Sequence, residues 1–389
     1  MTPGVLFIVN SLETGGAEKQ VVTLLNHLDP DRFRLHLAYL KRKEKLLPQL
    51  REERLAAVLC CDVSRRIDGA AIRRLRELIV SARIDVVVCT NPYSTLYGKL
   101  ALRGSGVRPK FVTVFHTTAL RSLKERVQMV LYRQLFNRAD LLVYVCESQR
   151  AHWRAAGIRP AREEVIYNGI DTDHFTERGS GAELRAFRHS LGCADGDYLI
   201  GICSVFRPEK AHRDLLEAVA RLRTRGCPVR ALLIGDGPER EAIDRTIARL
   251  GLQRHVVITG LCGDVRPFIS ACDVMTLVSH SVEAFSLAAL ESMSLGKPMV
   301  MSDVGGASEL VTAGEQGFIY PPGDIDALTM HLRNLTEPAL RDRLGRAAAL
   351  RVRERFTVQA MTEHFGACID GLLDGRRGPV IGRESALVR

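Results

Sequence analysis

None of the ten cysteines in this 389-residue sequence falls in a C-x-x-C pair, and no apolar run is long enough to span a bilayer. The first absence removes both zinc-ligand spacing and a disulfide framework, so a reducing, cytoplasmic setting is expected. The second removes a membrane anchor, and Val5–Val9 reads as a buried strand rather than the core of a signal peptide. A G-x-G-x-x-G fingerprint is also missing. That disfavours a nicotinamide-dependent oxidoreductase.

The length exceeds what one hydrophobic core usually serves, so two domains are expected. Charge is distributed unevenly. The chain carries 55 basic and 45 acidic residues, but residues 1–170 hold 28 basic against 16 acidic, and the remainder 27 against 29. The excess positive charge therefore lies in the first half. It favours an anionic partner there, such as a membrane surface or a lipid-linked phosphate.

Strand and helix candidates alternate through that half. Val5–Asn10 is a short apolar run, and Ala17–Leu28 has apolar residues at helical spacing. Gly15 and Gly16 stand at the turn between them, where a missing Cβ lets backbone approach a ligand; without a ligand they make an ordinary tight turn. Further strands are expected at 35–40, 56–61, 85–90, 111–115 and 141–146, with helices at 70–82 and 95–102. This alternation predicts a parallel sheet covered on both faces, with ligands at the carboxyl ends of its strands. His116 follows the strand VTVF directly. A lone histidine in that place is more often structural than catalytic. Residues 119–138 read as a basic amphipathic helix. Its apolar stripe is Leu123, Val127, Val130, Leu131 and Leu135, and Arg121, Lys124, Arg126, Arg133 and Arg138 dot the rest. Taken alone it is a core helix with a solvated face. Together with Lys41-Arg42-Lys43 and the charge imbalance, it suggests attachment to an anionic membrane.

Asn168-Gly169-Ile170-Asp171 is a turn signal that opens a loosely patterned stretch, and the alternation then restarts. A strand at 199–204 runs into Val205-Phe206-Arg207-Pro208-Glu209-Lys210 and a helix at 211–225. A strand at 231–234 runs into Gly235-Asp236-Gly237-Pro238. The stretch Ser281–Met301 holds Glu283 in a loop and Glu291 about two turns into a helix that ends at Gly296-Lys297-Pro298. The amides of Phe285, Ser286 and Leu287 are expected at the helix end, where unpartnered N–H groups and the helix dipole favour an anion. A loop carboxylate, an amide nest and a second carboxylate suit a sugar diphosphate. Spacing alone equally describes a solvated helix face.

The run from Glu283 to Glu291 with its G-x-P-x-V stop resembles the E-x7-E signature of family 4 of the retaining glycosyltransferases, with Ala284 in place of the usual glycine. The resemblance extends from Gly15 to about Phe356. It implies the α/β GT-B fold, two Rossmann-like domains facing each other across a cleft. An N-terminal acceptor domain would span 1–173 and regain a returning helix at 357–375. A nucleotide-sugar domain would span 174–356, and 376–389 would be a tail. The implied reaction moves a sugar from a UDP- or GDP-linked donor to an acceptor hydroxyl, with retention, and requires neither cofactor nor metal. Bacterial cell-surface polysaccharide or glycolipid synthesis is the family's usual setting, so the partners are the donor and a saccharide or lipid-linked acceptor, not nucleic acid.

The resemblance also assigns residues. Lys210 would grip the donor diphosphate. Val205 stands where the family has arginine, and Arg207 is expected to serve instead. Glu283 would bind sugar hydroxyls and Glu291 the nucleotide ribose. Asp236, Gly237 and the amides of Phe285, Ser286 and Leu287 would line the donor site, and Gly15, Gly16 and His116 would complete it. Two rivals share the fold: a sugar-nucleotide epimerase, which needs no acceptor, and a non-catalytic nucleotide-sugar-binding protein.

Overall fold

The computed structural model describes residues 2–117, 123–176 and 180–375. These form two compact units. One runs to Asn168 and resumes at Val358; the other is Gly169–Thr357. The division falls after Asn168 rather than after Asp173, as the sequence had suggested. Ile170 explains the shift, because its N–H donates to the Phe356 carbonyl at 3.0 Å and it bridges Thr357. The first part of the expected basic helix, including Ala119 and Arg121, lies outside the described residues, and so does the tail 376–389.

The N-terminal unit is built on seven strands: β1 (Gly4–Val9), β2 (Arg34–Tyr39), β3 (Ala57–Cys60), β4 (Ile84–Thr90), β5 (Lys110–Phe115), β6 (Leu141–Tyr144) and β7 (Glu163–Val165). Their order is β3-β2-β1-β4-β5-β6-β7 and each pairing is parallel. β1 and β4 are buried on both faces, which is why VLFIV and VVVC read as continuous apolar runs instead of alternating. The helix Val358–Leu373 closes this unit. Phe365 meets Phe7 with ring centroids 5.9 Å apart, and Arg32 Nε donates to Asp370 at 2.9 Å.

The second unit carries β8 (Tyr198–Cys203), β9 (Val229–Ile234), β10 (Val256–Ile258), β11 (Val274–Leu277), β12 (Met299–Ser302) and β13 (Gly317–Tyr320). Their order is β10-β9-β8-β11-β12-β13, again parallel throughout. In each sheet the strand order reverses beside the first strand, between β1 and β4 and between β8 and β11. In open parallel sheets the loops on either side of such a reversal diverge, and ligands collect at that carboxyl edge.

Two elements differ from the sequence reading. The helix expected at 95–102 begins at Asn91, directly after β4. Asn91 has φ +70°, a left-handed turn that asparagine tolerates, and Pro92 presets the first helical φ. A helix at Gly181–Ser190, where no element was expected, is started by a capping box between Ser180 and Glu183. None of its residues is fully buried, and its short apolar side, Leu184 and Phe187, is half-buried, with the Phe187 ring 5.4 Å from that of Phe268.

Candidate active site

The carboxyl ends of β8, β9 and β11 bring Lys210 to Glu283 and the Phe206–Arg207 segment to Asp236 and Gly237. After β8 the chain extends through Val205, Phe206 and Arg207, makes a 3-10 turn at Pro208–Lys210, and enters the helix His212–Thr224. Phe206 is fully buried against the His212 ring, 4.6 Å between centroids, while Val205 and Arg207 are exposed. Side chains alternate in extended backbone, so Arg207 lies on the same side as Val205, the place of the family arginine. Arg207 makes no ion pair among the described residues.

The loop after β11 comes to meet this one. The Lys210 ammonium donates to Glu283 Oε1, and both side chains are largely buried, 19% and 11% exposed. Ser279 Oγ donates to the same carboxylate oxygen at 3.0 Å. Ser302 Oγ, from β12, in turn bonds the Ser279 carbonyl at 2.6 Å. The His280 N–H donates to the Glu209 carbonyl at 2.9 Å, and the His280 ring meets Asp214 Oδ2 at 2.6 Å. The two loops are thus stitched together by the protein's own groups. Burial, and after it the Lys210 charge, lowers the His212 pKa to about 4. A neutral His212 remains, bonded to Ser204 Oγ at 3.0 Å.

Backbone fit shapes the rest of this edge. Gly237 lies so near the Phe206 segment that a Cβ would stand 2.6 Å from its oxygen and 2.8 Å from its nitrogen. The turn is completed by Phe206 N–H to the Asp236 carbonyl, 3.0 Å, and Gly237 N–H to Asp236 Oδ1, 2.8 Å. Gly237 is therefore explained by the protein's own packing, and Asp236 by its own turn. Val282, a β-branched residue, is held at φ +58°. Such a conformation is strained and is tolerated where surroundings fix it.

The helix carrying Glu291 runs from Leu287 to Ser294, with Ser286 as its N-cap. Ser286 Oγ accepts the Ala289 N–H at 3.3 Å, so one of the free amides is already satisfied by the protein. Phe285 is buried, its ring 5.1 Å from Phe356. Glu291 is also buried, 7% exposed.

In the N-terminal unit, Gly15 caps the helix Gly16–His27 with an ordinary extended φ of −125°. The space its Cβ would fill is taken by the Glu18 carboxylate. Gly16 is exposed. His116 leaves β5 with its N–H held by Asn91 Oδ1 at 3.1 Å. Burial of the ring lowers its pKa to about 4, so it is a neutral hydrogen-bonding group at ordinary pH. His116 lines a small cavity with Gln20, Thr90 and Asn168, over a floor that includes Phe7 and Phe365. Its volume of about 20 Å³ admits a water-sized group. The basic cluster is partly neutralised: Lys43 and Lys45 both pair with Glu13, at 2.9 and 2.8 Å, and Arg42 meets Asp62 at 3.4 Å.

Sequence reasoning did not anticipate Ser279, Ser302, Asn91 or His280. Asn91 holds His116 from 25 residues away, and Ser302 and His280 bond the main-chain carbonyls of Ser279 and Glu209, contacts that no local spacing marks, while Ser279 stands four residues before Glu283. A second cavity, in the C-terminal unit and about 640 Å³, opens at the starting edge of its sheet. There Arg188 donates to Asp273 at 3.1 Å and to the Ala271 carbonyl at 2.8 Å, which ties the strand beginnings together.

The model of the family described as Glycosyl transferases group 1 matches residues 185–351, and that of Glycosyltransferase Family 4 matches residues 14–174. A GDP-mannose-dependent alpha-(1-6)-phosphatidylinositol monomannoside mannosyltransferase of Mycolicibacterium smegmatis is 30% identical over 72% of this chain and 74% of its own. The chain belongs to the family 4 glycosyltransferases. The D-rhamnosyltransferase WbpZ of Pseudomonas aeruginosa is 29% identical, covering 74% of this chain and 73% of WbpZ. Among solved structures, HepE of Anabaena in complex with UDP superposes with a TM-score of 0.82 at 24% identity, over 95% of this chain and 100% of HepE. A sucrose-phosphate synthase of Thermosynechococcus elongatus gives a TM-score of 0.81 at 19% identity, over 96% and 100%. At those identities the likeness concerns the fold, and it is the GT-B fold expected from the sequence.

Proposed function

We propose that this glycosyltransferase moves a hexosyl group, with retention, from a UDP- or GDP-linked sugar to a hydroxyl of a saccharide or lipid-linked acceptor, in cell-surface polysaccharide or glycolipid synthesis. The pairing of Lys210 with Glu283 beyond the carboxyl ends of β8 and β11 carries this reading. It sets an ammonium and a carboxylate, both preorganised and largely out of water, where the fold collects ligands. The departing diphosphate gains negative charge as the glycosidic bond breaks. Lys210 and Arg207 supply opposite charge, and the remaining amides at the Ser286–Leu287 helix end supply dipoles. These groups serve the purpose a metal ion serves elsewhere. Glu283 then accepts hydrogen bonds from sugar hydroxyls and Glu291 from the ribose. Asp236, Gly237 and Phe285 shape the nucleotide side.

The N-terminal unit, residues 1–168 with the closing helix, is assigned to the acceptor. His116, uncharged, positions the transferred sugar as a hydrogen-bond partner and moves no proton. Gly15 and Gly16 contribute by leaving room at a helix start. The mannosyltransferase relative is named for a phosphatidylinositol acceptor, which supports a lipid-linked one here. A cytoplasmic enzyme that attaches peripherally to an anionic membrane fits such an acceptor and the basic first half.

Thermal shift against a panel of nucleoside diphosphates and their sugars tests the reading. A true ligand at a hundredfold excess over its Kd stabilises by about 2.7 kcal/mol. The shift is expected to persist in EDTA. A panel with no responsive nucleotide, or a shift that needs a divalent ion, would overturn it.

A further inference from the structure

The cavity at the starting edge of the C-terminal sheet takes no part in the donor site. Its volume of about 640 Å³ is that of a small-molecule site. It is lined by Tyr198, which opens β8, and by Asp273, directly before β11, while Lys210 and Glu283 follow the far ends of the same two strands. The helix Gly181–Ser190 contributes Arg185, Arg188 and His189, which share one face by their i, i+3, i+4 spacing. Arg225 comes from a different element, the end of the helix His212–Thr224.

The carboxylates of this cavity are all engaged. Asp273 accepts from Arg188 Nη1 at 3.1 Å and from the Leu199 N–H at 2.7 Å. Asp197 accepts the Ala194 N–H at 2.8 Å and lies 4.0 Å from Arg230. Asp195 meets the His189 ring at 2.9 Å. Arg341 is engaged too, donating to the Leu335 and Thr336 carbonyls at 2.9 and 2.8 Å. Arg185 and Arg225 are left over. Both are exposed, and neither makes an ion pair or a side-chain hydrogen bond among the described residues. Two uncommitted guanidiniums therefore line one cavity, with no carboxylate remaining to answer them.

We propose that this cavity binds a small phosphorylated molecule, a sugar-sized body with two phosphate groups, one for Arg185 and one for Arg225. The guanidinium fork matches phosphate oxygens two at a time. Tyr198, Pro228 and Pro338 give the less polar lining that the body of such a ligand needs. A cation fits worse, because each acidic side chain already has its partner. The cavity and the Lys210–Glu283 pair lie at opposite ends of the same strands, so this ligand and a nucleotide sugar can be held together. The binding does not depend on the transferase reading.

Fructose 1,6-bisphosphate is titrated calorimetrically into the full-length protein at physiological salt, where loose surface attraction is screened. One molecule is expected per chain. Arg185→Gln and Arg225→Gln should each weaken binding by about tenfold, the lower end for a charge-assisted hydrogen bond, and together by about a hundredfold. Fructose 6-phosphate, with one phosphate, should bind about tenfold more weakly than the bisphosphate. Unchanged urea midpoints show that the variants fold. Arg207→Ala should leave the affinity unchanged, which separates this cavity from the donor site. No binding by the wild type, or unchanged binding by the double variant, overturns the proposal. So does a loss in Arg207→Ala as large as in the double variant, because the bisphosphate then sits in the donor site.

Discussion

The α-carbon of Gly305 is packed against the main-chain oxygen of Glu283. A Cβ on Gly305 would fall within 3.0 Å of that oxygen and 2.9 Å from the Ala284 carbonyl oxygen. Gly306 N–H donates to the Ala284 carbonyl at 2.7 Å. The SDVGGAS turn is thus the mould for the Glu283 loop, and Val282 at φ +58° keeps its strained conformation within it.

Gly305→Ala tests the mould. Gly305 sits at φ +62°, so alanine there is strained besides clashing. A loss of about 1–3 kcal/mol in unfolding free energy is expected, with turnover falling further because Glu283 moves. Urea denaturation and kcat measured on the same preparation separate the two effects.

Removing one member of the Lys210–Glu283 pair strands the other in a largely buried place. Lys210→Ala is expected to destabilise by about 1–3 kcal/mol and to lower turnover by about a hundredfold or more. Glu283→Gln keeps the Ser279 hydrogen bond and should cost less stability while still losing turnover. A double-mutant cycle in urea that shows no coupling between the two positions would refute the pair.

Arg207→Ala is expected to weaken nucleoside diphosphate binding by about tenfold, the lower end for a charge-assisted hydrogen bond. Because Val205 lies on the same side of the strand extension, Val205→Arg in that background should restore affinity. Calorimetric titration of both variants decides whether an arginine at either place will serve.

Acid should destabilise the fold through two of its histidines. The pKa values of His116 and His212 are lowered to about 4 from an ordinary 6.5. Between those values the unfolded chain binds more protons than the folded one, so stability falls as pH drops from about 6.5 to 4 and is level above. The slope is at most about 1.4 kcal/mol per pH unit for each group. Urea midpoints across this range should show it, and His212→Asn should reduce it.

Much of the fold was legible because the central strands are apolar on both faces and the turns carry glycine or proline. The exposed helix at Gly181–Ser190 was not, since its start depends on Ser180 and Glu183 and not on any buried stripe. At the site, Lys210, Glu283 and Glu291 were picked out by the family resemblance rather than by spacing, and the structure pairs Lys210 with Glu283. The asparagine that holds His116 was missed because tertiary contact alone gives it meaning, and Ser279, four residues before Glu283, belongs to no motif. The helix at 123–137 misled in the opposite way. Helical spacing picked out Val127, Val130 and Leu131, which are exposed, and passed over Met129 and Phe136, which meet the core.

The N-terminal unit is finished by the helix Val358–Leu373, whose Val358, Met361, Phe365 and Ile369 enter the same core as Val5 and Phe7. On the ribosome this half emerges first yet stays open until the other half has been made. Its apolar sheet face must wait for almost the whole length of translation. The nascent chain thus has a reason to engage a chaperone at its beginning, and the later-made half is the first able to fold to completion.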